Sequence, residues 1–571
     1  MTQTLPTTVR SVRRSSSALA TAGRSTLALL LAFLALANIV DGLVIKPWAA
    51  ATFGEQVIDL DRLGFARTEV VLLAALLLLI ARALAHGKRQ AWWLSICILG
   101  LSVLGALVGH ARPHAPHLVV LLVLALVALL ALAPLFSRRS DPRALRRGYV
   151  ALAASLCCLV LLREVHQVWH PGLVPVWHLL RQITLDLLRG GVLVTVTYGV
   201  AAVLRPVRAA RHLAQDERER ALAVVRRYGM VSTAYFAAGE DKRFFWSDTG
   251  RALVAYRLIR GVALVLGDPV GPEEEREAVL LAFAAYCRQQ DWTAAWYLAS
   301  PHVRAWCRQW GMPAYKVGEE AVVDIDRFTT ASKVGAPVRH AVTRARRGGV
   351  QIRCWHGEDL PAGVFAGMKR VSRAWQAAHD APIQMGFSMG RFPADWSREL
   401  LTAVACDNAG EVQAFLTWTP LYPGCGWSLD VMRRTGEAAP GTMEWLIAES
   451  IGWAQRHGHR RMSLGLAPLA GLGAEPDGSI RYLEQETHST LERIAGSLHQ
   501  RKLFLANYTT LYRFKAKFQP TWEPRYLIVE DGRALPQALA ALMQAMGYTW
   551  KSVVREALSG LRPPYRGQDA R

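Results

Sequence analysis

Hydrophobic and polar positions divide this chain into two unlike halves. Before residue 205, apolar residues gather in six long stretches: Leu27–Val44, Val70–Ala85, Ala91–Val108, Leu118–Phe136, Gly148–Leu162 and Ile183–Leu204. A helix that crosses a bilayer needs about 20 apolar residues and tolerates roughly 17. The pattern predicts six spans, with the ends of the short second and fifth extending or snorkelling. The sixth carries Asp186 and Arg189 one helical turn apart, where pairing or an interfacial position limits the cost of charge in hydrocarbon. Cations concentrate in alternate loops: Arg10, Arg13, Arg14 and Arg24, then Lys88 and Arg89, then Arg138 to Arg147, then Arg205 to Arg211. By the positive-inside rule these loops are cytoplasmic, and so are both termini. The localisation expected from the pattern is a membrane, in multi-pass form. The first stretch also fits a signal sequence cleaved near Ala35-Leu36-Ala37, although apolar residues continue past that point.

After about residue 215 the periods shorten to those of mixed helix and strand. Ala252–Leu266 reads as two strands around Gly261, closed by the turn GDPVGP. Residues 272–289 read as a helix with Glu273, Glu274 and Glu275 in its first turn, which suits the helix dipole. A strand follows at Trp292–Leu298 and a helix at 301–311. A second series runs strand Val350–Trp355, helix 361–379, strands Val412–Thr419 and Trp427–Met432, helix 442–456, and strands Arg461–Leu466 and Arg525–Glu530. The fold class expected is a membrane helical bundle followed by cytoplasmic α/β in two similar lobes. The domains are a basic tail 1–25, a transmembrane domain 26–204, a first lobe 205–348, a second, catalytic lobe 349–550 and a tail 551–571. At 571 residues the chain is too long for one core.

Charge narrows the partners. The formal net charge of +22 favours anionic partners, either nucleic acid or anionic lipid. The eight cysteines form no CxxC pair and read as reduced, buried thiols. His110, His114 and His117 share one predicted outer loop, which reads as a plain polar loop rather than a metal site. LGLAPLAGLG at 464–473 lacks the P-loop Lys-Ser/Thr, and neither GxSxG nor HExxH occurs. No metal or cofactor is expected.

Four segments carry candidate chemistry. In KVGEEAVVDI, 316–325, Lys316, Glu319 and Glu320 stand beside a strand-like run, although these residues alone read more simply as a solvated turn. In SLDVMRRTGEAAPGTMEWL, 428–446, alternation puts Ser428, Asp430 and Met432 on one face and Trp427, Leu429 and Val431 on the other. Asp430 then lies near a strand's end, Arg433 follows, Thr442 can cap the next helix and Glu444 lies in its first turn. Strand ends facing helix N-termini are where α/β sheets collect ligands, although a surface Asp–Arg pair fits the same residues. The strip LYRFKAKFQPTWEPRYL, 511–527, threads Tyr512, Phe514, Phe518 and Trp522 among Arg513, Lys515, Lys517 and Arg525. Rings plus cations suit a single-stranded nucleic acid end. As a helix it turns Leu511, Phe514 and Phe518 to one face and Arg513, Lys515 and Lys517 outward, which is also what an ordinary amphipathic helix does. The basic helix 337–348 adds Arg339, Arg344, Arg346 and Arg347.

Taken in order, GDPVGP (267–272), KVGEEA (316–321), SLDVMR (428–433), GTMEWL (441–446), LGLAPLA (464–470) and the 514–527 strip resemble the aminoacyl-phosphatidylglycerol synthases. These are the catalytic part of the bifunctional lysylphosphatidylglycerol flippase/synthetases. The resemblance covers roughly 230–530. It implies tandem acetyltransferase-like (GNAT) lobes in a bacterial inner-membrane protein, with aminoacyl-tRNA and phosphatidylglycerol as partners. Exchange of one ester for another needs positioning, proton transfer and a counter-charge, and neither ATP nor metal. On this reading Asp430, Arg433, Glu444 and Lys515 are catalytic. Lys316, Glu319, Glu320, Arg513, Lys517 and Arg525 bind substrate, and Arg339, Arg344, Arg346 and Arg347 bind tRNA. Lysine is the amino acid expected, with alanine or arginine as alternatives. Two other readings stay open: an acyl-CoA-dependent N-acyltransferase using the 434–441 loop, and a lipid flippase with a regulatory cytoplasmic domain.

Overall fold

A computed structural model of the chain describes residues 23–33, 67–108, 116–168, 175–207, 215–357, 360–378, 386–390, 392, 397–468, 470 and 506–547. The basic tail up to residue 22, the Ala35-Leu36-Ala37 position, His110 and His114, residues 471–473 and the 551–571 tail lie outside the described residues. The chain forms two compact units. One runs to Ala209 and takes in Arg288–Trp292, and the other holds Ala210–Cys287 and the chain from Thr293 onward.

The first unit is helical, with α1 (Gly23–Phe33), α2 (Arg67–Ala85), α3 (Arg89–Val108), α4 (Pro116–Ala131), α5 (Pro142–Val168) and α6 (Pro175–Val203). Six spans were expected. Among the described residues two helical segments are long and apolar enough to cross a bilayer, Pro142–Leu162 and Val176–Val203. Helices α5 and α6 cross closely because glycines meet. A Cβ on Gly148 would lie 2.6 Å from Val203 Cγ2 and 2.9 Å from the Gly199 carbonyl oxygen. Small residues at such crossings let helices pack without a hydrophobic drive. Leu162, Leu185 and Val192 fill the contact, while Leu156, Val160, Leu161, Leu187 and Val194 point outward and are exposed. The expected Asp186–Arg189 pair forms within α6 at 2.9 Å.

The second unit is built on one sheet of eleven strands: β1 (Arg243–Trp246), β2 (Leu253–Ile259), β3 (Val262–Leu266), β4 (Thr293–Ala299), β5 (Ala314–Asp324), β6 (Gln351–Trp355), β7 (Leu401–Cys406), β8 (Val412–Leu421), β9 (Gly426–Arg434), β10 (Arg461–Pro468) and β11 (Thr521–Val529). Its helices are α7 (Gln215–Tyr228), α8 (Ala234–Ala237), α9 (Glu273–Gln289), α10 (Pro301–Gln309), α11 (Ala336–Arg347), α12 (Ala362–Ala378), α13 (Thr442–Arg456), α14 (Ala506–Ala516) and α15 (Leu535–Ala545). The same motif occurs twice. Antiparallel strands lead through a crossover helix to a parallel strand, as β1-β2-β3-α9-β4 and as β6-β7-β8-β9-α13-β10. Parallel neighbours require such a crossover.

The strand order is β1-β2-β3-β4-β11-β5-β10-β9-β8-β7-β6. The lobes therefore exchange their last strands. β5 closes the first series yet pairs with β10, and β11 closes the second yet pairs with β4. Helix α15 follows β11 and packs Leu535, Ala538 and Leu542 against Leu264 and Leu266 of β3. Residues 521–545, placed by sequence order with the second lobe, thus complete the first.

On the other lobe, Phe518 is fully buried beside Phe328, Phe514 and Trp445. Phe518→Ala should cost about 3–5 kcal/mol. Thermal melting of the detergent-solubilised chain checks this, with a marked fall in midpoint expected.

Candidate active site

Two parallel pairs cross the sheet, and only one stays closed. β3 and β4 remain in register over five residues, from Val262 opposite Thr293 to Leu266 opposite Tyr297. β9 and β10 pair only at Gly426–Arg461, Trp427–Met462 and Ser428–Ser463, and then part. Bulges on both strands accompany the parting. On β10, Ser463 pairs with Val322 and Leu466 with Glu320, which leaves an extra residue at Leu464–Gly465. Gly465 has φ +77°, a region where a side chain is strained. A Cβ there would lie 3.7 Å from Lys515 Nζ and 4.0 Å from the Leu429 carbonyl oxygen, so Lys515 stands at the opening.

The bulge on β9 corrects the expected faces. Leu416 pairs with Met432 and Trp418 with Leu429, and the extra residue falls at Asp430–Val431, opposite Thr417. The Val431 amide donates to Thr417 Oγ1 at 3.1 Å. Trp427, Leu429 and Met432 now pack in one core, and Val431 in the other with Phe415 and Met368. Strict alternation would separate Asp430 from Arg433. The bulge turns both toward α12, Gly390 and Phe392, as bulges beside functional sites commonly re-aim a side chain.

Asp430 Oδ1 accepts from the Gly390 amide at 2.6 Å. Burial pushes its carboxyl up to about 6, against the opposing pull of that amide and of Arg433. Arg433 is buried, donates to Ser372 Oγ and lies over Trp375 at 5.2 Å. Burial lowers its own pKa, and Asp430 opposes the shift. Lys515 is buried and donates to the Leu466 carbonyl at 2.7 Å. Burial pushes its ammonium down to about 7, and Glu320 acts in the other direction.

Glu320 anchors a buried network. Its Oε2 accepts from Arg525 Nε at 2.7 Å, and Ser463 Oγ donates to Oε1. Burial alone would raise Glu320, but Arg525 and the hydroxyls of Ser463 and Ser232 outweigh it, so its carboxyl lies below the usual range. Arg525 also reaches Glu523 at 3.0 Å, and Arg461 pairs with Glu523 from outside. A bulge at Val317–Gly318 on β5 sets Lys316 beside Glu319 at 2.6 Å. These residues are thus interior to a strand, which removes the solvated-turn reading.

The remaining predicted residues divide between this site and the surface. Glu444 pairs with Lys517 at 2.8 Å in the first turn of α13. Thr442 does not cap that helix. Gly441 is its N-cap at φ +93°, and the Thr442 hydroxyl donates back to Ala439. In the strip, Phe514 and Phe518 belong to the core, Tyr512 stacks on Trp522 at 4.4 Å, and Arg513 is exposed. Lys515 is not outward as expected, because α14 lies on the opened part of β10 and directs that side chain inward. Helix α11 buries Val338, Ala341 and Ala345 and leaves Arg339, Arg344, Arg346 and Arg347 exposed. Arg339 binds the Thr330 and Ser332 carbonyls, and Arg346 lies 5.1 Å over Trp445. Sequence reasoning missed Gly390, Ser372 and Ser463. Of these only Ser463 left a trace, two residues before a glycine that interrupts a strand pattern.

Residues 222–529, over half of the chain, match the family model described as phosphatidylglycerol lysyltransferase, C-terminal. The chain belongs to that family. Among its relatives are the lysylphosphatidylglycerol biosynthesis bifunctional proteins LysX of Mycolicibacterium vanbaalenii, 32% identical over 332 residues, and of Mycobacterium avium, 31% identical over 322. Each match covers 56% of this chain but only 28% and 26% of those relatives' lengths. The solved structure of L-PGS from Bacillus licheniformis is 27% identical with a TM-score of 0.49, covering 58% of this chain and 96% of that one. All six sequence motifs lie inside the matched region, and so do the parted strands.

Because Asp430 has a raised pKa, its ionised form costs stability above about pH 6 and nothing below its ordinary 3.8. Asp430→Asn should therefore stabilise the fold at pH 7.5 by ~2–3 kcal/mol, and the gain should fade as pH falls toward 4, as measured by melting temperature against pH. Gly390→Ala would place a Cβ 2.1 Å from Asp430 Oδ2. It should displace the carboxylate and lower activity at least tenfold, with the melting temperature changed far less.

Proposed function

We propose that this protein transfers an amino acid from aminoacyl-tRNA to the glycerol hydroxyl of phosphatidylglycerol, at the cytoplasmic face of a bacterial inner membrane. Lysine is the favoured amino acid. The observation that carries the reading is the opened β9–β10 pair with Asp430 and Lys515 at its edge, shifted toward neutrality from opposite sides. Family membership supports the substrate class, and the outward apolar faces of α5 and α6 support a membrane location. We further take the helical unit to be multi-pass, with both termini cytoplasmic.

The chemistry follows from these groups. Lys515, as the neutral amine, takes the glycerol hydroxyl proton as that oxygen attacks the ester carbonyl. The resulting ammonium returns the proton to the departing ribose oxygen. One ester bond forms and one breaks, with no net proton released. Ionised Asp430 holds the ammonium of the transferred amino acid, and Arg433 and the Gly390 amide fix its orientation. Glu320 and Arg525 set the charge around Lys515. The exposed arginines of α11 hold the tRNA backbone electrostatically.

The acyl-CoA alternative meets a specific obstacle. A pyrophosphate needs an open helix N-terminus. At α13 the N-cap Gly441 abuts the Ala341 carbonyl of α11, where a Cβ would lie 2.3 Å away, and the first turn carries Glu444. A regulatory domain serving a flippase, in turn, has no need of two shifted ionisable groups beside a parted strand pair.

Lipids extracted from a host expressing the chain should contain a new ninhydrin-positive phospholipid that takes up radiolabelled lysine. Asp430→Asn and Lys515→Met should each cut its formation about 10²-fold or more. Wild-type product from either variant removes that residue from the mechanism. The rate should rise from pH 5.5 to 8, since Asp430 must be ionised and Lys515 neutral. Substituting Arg344, Arg346 and Arg347 together by Gln should raise KM for aminoacyl-tRNA and flatten its salt dependence, with kcat unchanged.

A further inference from the structure

The helical unit contains a cavity of about 450 Å³ that the chemistry above does not use. The first turn of α3 lines it with Arg89, Trp92 and Trp93, and the chain after α4 with Phe136, Ser137 and Arg139. Among the described residues no carboxylate lines it, so two exposed guanidiniums give it net positive charge. The N-terminus of α3, a helix of 20 residues, adds its positive dipole end.

The rings make the cavity a fixed shape. Trp92 donates its indole N–H to the Leu129 carbonyl at 2.8 Å, meets Trp93 edge-on at 4.8 Å and stacks with Phe136 at 6.5 Å. Trp93 is nonetheless 47% exposed. Helix α4 carries a stripe of exposed apolar side chains at helical spacing, Val120, Val123, Leu124, Val127 and Leu130, whose C-terminal end runs toward this cavity. A cationic, indole-walled recess at the end of an apolar stripe matches an anionic amphiphile, head in the recess and tails along the stripe. Tryptophan and arginine are the side chains that favour the level of the headgroups.

We infer that this cavity binds the phosphate headgroup of an anionic glycerophospholipid from the surrounding bilayer, with its acyl chains along the α4 stripe. The inference rests on the membrane placement proposed above, and not on the roles of Asp430 and Lys515. Free phosphate would use the arginines but not the stripe.

The test is native mass spectrometry of the full chain in detergent, titrated with dioleoylphosphatidylglycerol, dioleoylphosphatidylcholine or inorganic phosphate. The wild type should retain phosphatidylglycerol at least tenfold more tightly than phosphatidylcholine, and millimolar phosphate should not displace it. Arg89→Gln with Arg139→Gln should lose one bound phosphatidylglycerol per chain and keep the one held at the catalytic site, with an unchanged melting temperature because both side chains are exposed. Arg146→Gln with Arg147→Gln removes the same charge from exposed positions of α5 and should keep both. Equal loss in both double variants, retention of both lipids by the Arg89/Arg139 variant, no preference in the wild type, or displacement by phosphate alone would each overturn the inference. Asp430→Asn should retain lipid as the wild type does, so failure of the catalytic reading and failure of this one give different results.

Discussion

The parting of β9 from β10 is the constraint on which the rest of the larger unit depends. A parallel pair that stayed in register, as β3 and β4 do, would bury its backbone in ladder bonds and leave no room between strands. After Ser428 and Ser463 that ladder stops. The backbone groups released must find other partners, because an unpaired buried amide or carbonyl is expensive. The structure supplies them locally. The Val431 amide goes to Thr417, the Gly465 amide to Ser463 Oγ, and the Leu466 carbonyl to Lys515. One of these substitutes is an ionisable side chain, so the opening of the sheet and the placing of a buried amine are the same event.

Burial then sets the electrostatics. Asp430 and Lys515 are each pushed toward their neutral forms, and each is opposed, the first by the Gly390 amide and Arg433 and the second by Glu320. Glu320 is the counterexample within the same core. It is buried as well, yet Arg525 and two hydroxyls keep it ionised. The difference is the number of charge-matched donors that reach each carboxylate. A well-paired buried carboxylate stays charged, and a poorly paired one drifts toward neutrality. Proximity to neutral pH is what proton transfer requires, so the under-paired groups are the ones suited to chemistry.

Strand exchange ties this arrangement to both lobes. Glu320 comes from β5 and Arg525 from β11, the two strands at the centre of the sheet that each close one lobe's series and border the other. A shift of either lobe would therefore disturb the network that sets Lys515. The first lobe, with its closed parallel pair, supplies half of that support without an opening of its own.

Much of the fold was legible in the sequence. The strands around Gly261, the helix after GDPVGP and the order of β8, β9, α13 and β10 follow from local periodicity, which depends on neighbours a few residues away. The family resemblance was likewise carried by short ordered motifs, and the match over 222–529 agrees with it. The types of the central residues were also legible, since an Asp in a strand and a Lys among rings stand out. What tertiary structure decided was direction and environment. Two single-residue bulges exchanged the expected faces of Val431 and Met432 on β9 and opened β10 at Gly465, and a period-2 pattern cannot register an inserted residue. The inward turn of Lys515, the Gly390 amide on Asp430 and the crossing of β11 into the first lobe all join residues far apart in the chain. The sequence alone determined which elements and which chemical groups exist; long-range pairing decided which of those groups are desolvated, and desolvation shifts their pKa toward neutrality.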